Sequence, residues 1–292
     1  MKKTILLTGA TGYLGSHLAN ALVAQGHKLI ILKRKNSSLL RISSIIQMAI
    51  FYNIENLDYS IPFTAHGKID AIIHTATCYG RHGEIPSDVF EANTGFPLRL
   101  IDAAKAAGVG MFINTDTILD KYLNLYSLSK SQLVEWGKFF CIHNKMFFVN
   151  MRLEQFYGPG DADSKFTTHV MNSCLRNVPE LKLTFGEQKR DFIYIEDVVS
   201  AYLIILEKIE EFQDFFNEFH VGSGAAVSIR DFVEKVHHIT DSQTHLAFGA
   251  VPYRTGEVMN SNANVEPLLE LGWFCKTNLD QGLKLVMEGY KQ

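Results

Sequence analysis

The 292-residue chain is predicted to be an α/β protein: a doubly wound parallel sheet with a smaller C-terminal lobe. Three observations predict it. Short apolar runs of strand type alternate with stretches of helical periodicity through the first half of the chain. A glycine-rich turn joins the first such run to the first helix. After Tyr157-Gly158-Pro159-Gly160 the rhythm changes to loops and shorter helices.

The elements follow in order. TILLT (4–8) is a short apolar strand. Leu14, Leu18 and Leu22 then recur four apart, the spacing of one helix face, with Gly26 placed as a C-terminal cap. HKLIILKR is a second strand, and KIDAIIHTAT (68–77) and VGMFINTDT (109–117) are two more. Residues 91–108 read as a helix between the last two, and KMFFVNMRL (145–153) as a further strand. This order implies right-handed βαβ crossovers and a parallel sheet. Helices are expected at IEDVVSAYLIILEKI and SIRDFVEKVHHIT. The domains are set at 1–160 and 161–292, the second returning some elements to the first sheet.

Bulk properties exclude several classes. The net charge is -3 with 47% apolar and 20% charged residues, so no basic surplus points to nucleic acid. The N-terminal apolar run, Ile5 to Leu7, is too short for a secretion signal. VVSAYLIILEKI is far short of the roughly 18 residues of a membrane span, so no membrane partner and a cytoplasmic location are expected. Cys78, Cys141, Cys174 and Cys275 form no CxxC pair and should be reduced thiols, and the histidines show no metal-ligand spacing.

Gly9, Gly12 and Gly15 recur every third residue between the first strand and helix. Such glycines permit a tight turn, close approach of a pyrophosphate and close helix–strand packing. The helix N-terminus then offers free N–H groups to phosphate. This is the Rossmann-type dinucleotide site. The second strand ends in Lys33-Arg34-Lys35 with no carboxylate there, which favours NADP; a one-residue register shift would change which side chain points inward and so keeps NAD open.

The glycine spacing, HTAT (74–77) and the Tyr126–Lys130 pair together resemble the extended short-chain dehydrogenase/reductase family. MRLEQFYGPGD, KRDFIYIEDVVSAY and PYRTGEVMNSNANVEPLLELGW resemble further segments of that family, so the likeness covers nearly the whole chain. It implies a nucleotide-sugar substrate lying over the nicotinamide. It also implies cofactor contacts from Thr11, Tyr13, Leu14, Thr75 and Ala76, besides the glycines, Lys33 and Arg34. Asn93 resembles the family's helix-borne asparagine and is placed with the substrate. Arg190 and Arg254 fall where the family has phosphate-binding arginines, a role suited to bidentate guanidinium contacts. Arg81 and His82, beyond the strand at 68–77, face the sugar in this reading, and Lys165 and Phe166 the nucleotide base. Segments such as ATCYGRHGE and KLTFGEQKRDFIYIED further resemble the CDP-paratose and CDP-abequose synthase type, enzymes that reduce the 4-keto group of a CDP-3,6-dideoxyhexose for O-antigen biosynthesis. Family members are often dimers, so a homodimer is expected.

Tyr126 and Lys130 are four apart and share a helix face. The ammonium is expected to lower the phenol's proton affinity, and the tyrosine to act as general acid when a ketone is reduced. Tyr122 lies about 12 Å from Lys130 along a helix and is too far to be tuned by it. The partner hydroxyl is Thr115, by likeness to the family's strand end, or Thr117 two residues on. Family dehydratases carry Asp-Glu after the threonine; here Thr117 follows Asp116, against dehydration. The expected activity is NAD(P)H-dependent reduction of a nucleotide-linked 4-ketosugar. A 4-epimerase and a non-catalytic dinucleotide sensor are the alternatives.

Overall fold

The computed structural model describes residues 1–143 and 146–290. The chain runs through β1 (Thr4–Thr8), α1 (Tyr13–Ala24), β2 (Lys28–Lys33), β3 (Ala49–Asn53), α2 (Ile61–His66), β4 (Ala71–His74), α3 (Pro86–Phe90), α4 (Phe96–Ala106), β5 (Met111–Thr117), α5 (Leu125–His143) and β6 (Phe147–Leu153). There follow β7 (Gln155–Tyr157), α6 (Phe166–Leu175), β8 (Glu180–Leu183), β9 (Lys189–Tyr194), α7 (Ile195–Lys208), β10 (Phe216–Val221), β11 (Ala226–Ser228), α8 (Ile229–Ile239), β12 (His245–Phe248), α9 (Glu266–Glu270) and α10 (Leu279–Gly289).

Two compact units divide the chain. The first comprises Met1–Arg152 and Tyr202–Phe219. Its sheet has the order β10-β6-β5-β4-β1-β2-β3. β1 pairs in parallel with β2 on one side and β4 on the other, so the strand order reverses between β1 and β4. In such a sheet a ligand binds beyond the carboxyl ends of the strands at that reversal. The central strands are buried on both faces, which explains their unbroken apolar runs. Leu6, Ile30, Ile72, Phe112 and Phe148 form one core with Leu100, Ile101 and Ala104 of α4 and Leu133 of α5.

The second unit comprises Leu153–Ala201 and the chain from His220 onward. It holds the small sheet β11-β9-β7 and the parallel pair β12–β8. Two buried carboxylates peg its loops. Asp191 accepts from Ser223, Gly224 and Ala263, and Asp197 from the backbone of Lys276 and Thr277.

Three local readings of the sequence change. β3 had no counterpart in the sequence reading: it is an edge strand whose Ala49 to Tyr52 are only half-buried. The helix expected over 91–108 begins as a π-helical turn, Glu91–Gly95, before α4 proper. The strand expected from Lys145 has that residue outside the described ones and runs from Phe147. Among the described residues, no helix is long and apolar enough to cross a membrane.

Candidate active site

The glycine turn is held tightly against the end of β4. Gly9 has φ of +74°, and a Cβ there would lie 2.5 Å from the backbone nitrogen of Ala76 and from Thr75 Oγ1. A Cβ on Gly15 would collide with the Gly9 carbonyl. Thr75 Oγ1 donates to the Thr8 carbonyl at 2.8 Å, and the Ala76 N–H donates to Thr8 Oγ1 at 3.3 Å, so Thr75 and Ala76 wall the turn. The N-cap of α1 is Gly12, which brings no side chain to the helix end. Side-chain-free backbone ahead of exposed helix N–H groups fits a dinucleotide pyrophosphate. Thr11, Tyr13 and Leu14 belong to this turn, and the Tyr13 ring lies under the Arg41 guanidinium at 5.6 Å.

At the end of β2 the geometry is more self-contained than the sequence implies. Lys33 Nζ donates to the backbone oxygens of Arg34 and Lys35, both at 3.2 Å, and to Asn53 Oδ1 at 3.1 Å. Glu55, from beyond β3, accepts the Lys35 N–H on both carboxylate oxygens. A carboxylate thus does stand beside the basic cluster, delivered from a strand that the sequence did not reveal.

The start of α5 is set by reciprocal capping. The Ser127 N–H donates to Asn124 Oδ1 at 2.9 Å, and the Asn124 N–H to Ser127 Oγ at 3.3 Å. This places Tyr126 in the first helical turn and Lys130 one turn on. Thr117 stands close enough to the Tyr126 phenol to lower its proton affinity. Thr115 Oγ1 instead lies 2.7 Å from the Tyr202 hydroxyl. The two hydroxyls share a strand face, but Thr117 acts on the Tyr126 phenol while Thr115 is taken up by Tyr202. Tyr122 is exposed.

Burial dominates both titrating groups. It pushes the Tyr126 phenol well up, with Tyr79 and Asp116 adding to the effect. The lowering expected from Lys130 is not found: burial raises the phenol, and Thr117 is the group that opposes it. Lys130, 1% exposed, is itself brought down to about 8 by burial, against the pull of Asp116. Its Nζ donates to Asn114 Oδ1 at 3.4 Å.

The other sequence candidates separate. Asn93 is fully buried. Its amide oxygen accepts from Thr77 Oγ1 and the Cys78 N–H, and its nitrogen donates to the Cys78 carbonyl and Ser129 Oγ. Ser129 Oγ in turn donates to the Tyr126 carbonyl. Both side-chain polar atoms of Asn93 are thereby engaged within the protein, so it ties the loop after β4 to α5 rather than facing a substrate. Arg81 and His82 are exposed. The Arg81 guanidinium lies 5.1 Å from the Tyr79 ring, which is 4.9 Å from the Tyr126 ring. Tyr79 is thus a site neighbour that the sequence reading passed over. Its signal was an aromatic in the loop beyond β4, at the ligand side of the sheet. In the second unit, Arg190 is ion-paired with Glu257, Arg254 is exposed, Lys165 lies 6.0 Å over the Phe156 ring, and Phe166 packs 5.9 Å from Phe232.

Comparison with known proteins places the chain in a family. The model of the NAD dependent epimerase/dehydratase family matches residues 5–222. CDP-abequose synthase of Salmonella muenchen is 34% identical over 294 residues, covering 98% of each chain. CDP-abequose synthase of Salmonella typhimurium is also 34% identical, over 96% of this chain and 95% of its own. Among solved structures, UDP-glucose 4-epimerase of Thermotoga maritima, with UDP-glucose, superimposes with a TM-score of 0.85 at 24% identity, covering 99% of this chain and 98% of its own.

Proposed function

The chain belongs to the NAD-dependent epimerase/dehydratase family, and from that premise we propose that it reduces the 4-keto group of a nucleotide-linked deoxysugar, of the CDP-4-keto-3,6-dideoxyhexose class, in surface-polysaccharide biosynthesis. The observation that carries this reading is the position of Tyr126. It stands in the first turn of α5, one helical turn before the buried Lys130 and beyond the carboxyl end of β5, and its phenol carries a proton at neutral pH that it can give to a ketone oxygen.

The glycine turn, Thr75 and Ala76 would hold the dinucleotide, which when bound supplies hydride to C4. Tyr126 donates its proton to the C4 oxygen, and Thr117 orients that oxygen by a hydrogen bond. Lys130 donates toward the cofactor ribose, as the family resemblance implies. Thr117 stands where a dehydratase would need a carboxylate base, so elimination of water has no catalyst. Arg190 and Arg254 are the candidates for the diphosphate, Arg190 by exchanging its Glu257 partner, and Lys165 with Phe166 for the base. The basic residues after β2 favour NADPH.

One observation favours a second reading. Lys33 is engaged by two backbone carbonyls and Asn53, and Glu55 stands beside it. This weakens the case for a 2′-phosphate and suits NAD, the cofactor of a 4-epimerase. Incubation with NADPH or NADH and CDP-, dTDP-, UDP- and GDP-linked 4-ketosugars separates the two. Loss of nicotinamide absorbance with the CDP-4-keto-3,6-dideoxyhexose supports the reductase; unchanged absorbance with every sugar overturns it. Tyr126→Phe should lower turnover by about 10²–10⁴-fold with cofactor binding retained, and Thr117→Val should lower it more than Thr115→Val.

A further inference from the structure

We propose that Asn114 and Asn150 form a directed amide relay that holds Lys130 as a hydrogen-bond donor and a cation, with Asp116 and Glu218 setting the direction of the relay. Its consequence for turnover rests on the reductase reading; its geometry belongs to the protein itself.

Lys130 Nζ donates to Asn114 Oδ1 at 3.4 Å. Asn114 Nδ2 donates to Asn150 Oδ1 at 2.8 Å. Asn150 Nδ2 donates to Asp116 Oδ2 and to Glu218 Oε2, each at 2.9 Å. Both asparagines are 0% exposed. Only one orientation satisfies every member. Ionised carboxylates accept and never donate, so Asn150 must turn its NH2 toward Asp116 and Glu218. Its carbonyl then faces Asn114, which must answer with its own NH2. The Asn114 carbonyl is left facing Lys130 and can only accept. Two anions thus dictate, through two amides, that the lysine donates inward, leaving its other N–H groups for acceptors on the ligand side.

The placement is not explained by packing. Two residues earlier on the same strand face, Phe112 and Phe148 stack at 5.6 Å. The face changes from aromatic to amide at the carboxyl end of β5 and β6, where Lys130 arrives from α5. Buried amides are costly unless fully paired. The titratable groups around the lysine are consistent with this role. Asp116 on β5 acts on it directly and favours the ammonium. His74 on β4 is buried and held neutral, its proton affinity driven well down by desolvation and by Lys130. Tyr126 lies on the same helix, and Tyr202 on α7 bonds Thr115. Glu218 on β10 also pairs with Arg152 at 3.6 Å.

The test is a carbon-13 NMR titration of lysine-labelled full-length protein, with the Lys130 signal assigned by its loss in Lys130→Arg. Asp116→Asn removes an anion and should move the Lys130 midpoint down. Asn114→Asp places an anion against the ammonium and should move it up. Each displacement should be about one pH unit or more. Both swaps are isosteric; Asn150→Leu keeps the Asp116 charge but removes the amide that orients Asn114, and should move the midpoint down by less than Asp116→Asn. Coincident midpoints in the folded isosteric variants, or shifts in the same direction, overturn the relay. The basic limb of the NADPH-oxidation profile should follow the same displacements. Shifted midpoints with no turnover on any 4-ketosugar would sink the reductase reading alone; unshifted midpoints with intact turnover would sink the relay alone.

Discussion

Tyr126 and Lys130 are both buried, and burial acts on them in opposite chemical senses: the phenol holds its proton and the ammonium is readier to lose one. The lysine therefore works against the stability of the fold. In the unfolded chain it stays charged up to its ordinary 10.5, in the folded chain only to about 8. Between those values the unfolded chain binds more protons, so stability rises with pH across that window, and below about 8 the folded protein bears the full cost. That cost is on the order of 3 kcal/mol. Lys130→Met removes it but leaves the Asn114 carbonyl without its donor, at about 1 kcal/mol. The variant should be inactive, yet more stable at neutral pH by about 2 kcal/mol in urea unfolding; lower stability would contradict the desolvation argument. How far such residues can be read from sequence differs case by case. Tyr126 and Lys130 were legible because one helical turn separates them. Thr115 and Thr117 were not separable, because alternate strand residues share a face and the deciding neighbour, Tyr202, is 87 residues from Thr115. Asn150 carried no signal, since an isolated asparagine in a strand belongs to no spacing pattern.

At the scale of elements, the π-helical turn Glu91–Gly95 does more than begin α4. It turns Asn93 inward to the loop after β4 and to Ser129, and Thr94 Oγ1 donates to the Ser129 carbonyl at 2.9 Å. Asn93→Ala leaves several buried partners unsatisfied and should cost about 2–4 kcal/mol of folding stability. A substrate contact would behave differently, raising KM while leaving thermal unfolding unchanged, so calorimetry beside kinetics separates the roles. The helical periodicity of 91–108 was legible, but the inserted turn was not: it depends on what Asn93 meets across the fold. β3 escaped for a related reason. An edge strand is buried on fewer sides, and its half-buried residues lack the unbroken apolar run that marks β1, β2 and β4. With β3 went Glu55, and with Glu55 the reading that no acid stands near the basic cluster.

For the molecule as a whole, the chain does not complete its first unit before starting its second. Sequence rhythm placed a boundary near residue 160, whereas the first unit closes with Tyr202–Phe219. A chain ending at residue 160 lacks β10, the strand beside β6, and presents a long bare sheet edge. It should aggregate or elute as large species in size-exclusion chromatography; a monodisperse, cooperatively melting fragment would refute this. The parallel sheet and its glycine turn were legible because each strand and helix carries its own local pattern. A return of later elements to the first sheet was legible, but not that β10 makes it, because its partner β6 is remote in sequence.

The same return imposes an order on biosynthesis. At about 5–20 residues per second, roughly 3–14 s pass between the emergence of Arg152 and that of Phe219. During that interval β6 is an outermost strand on a nascent chain, and the segment that will cover it has not left the ribosome. Holding that edge unpaired until Phe219 emerges falls to chaperones or to the pace of translation.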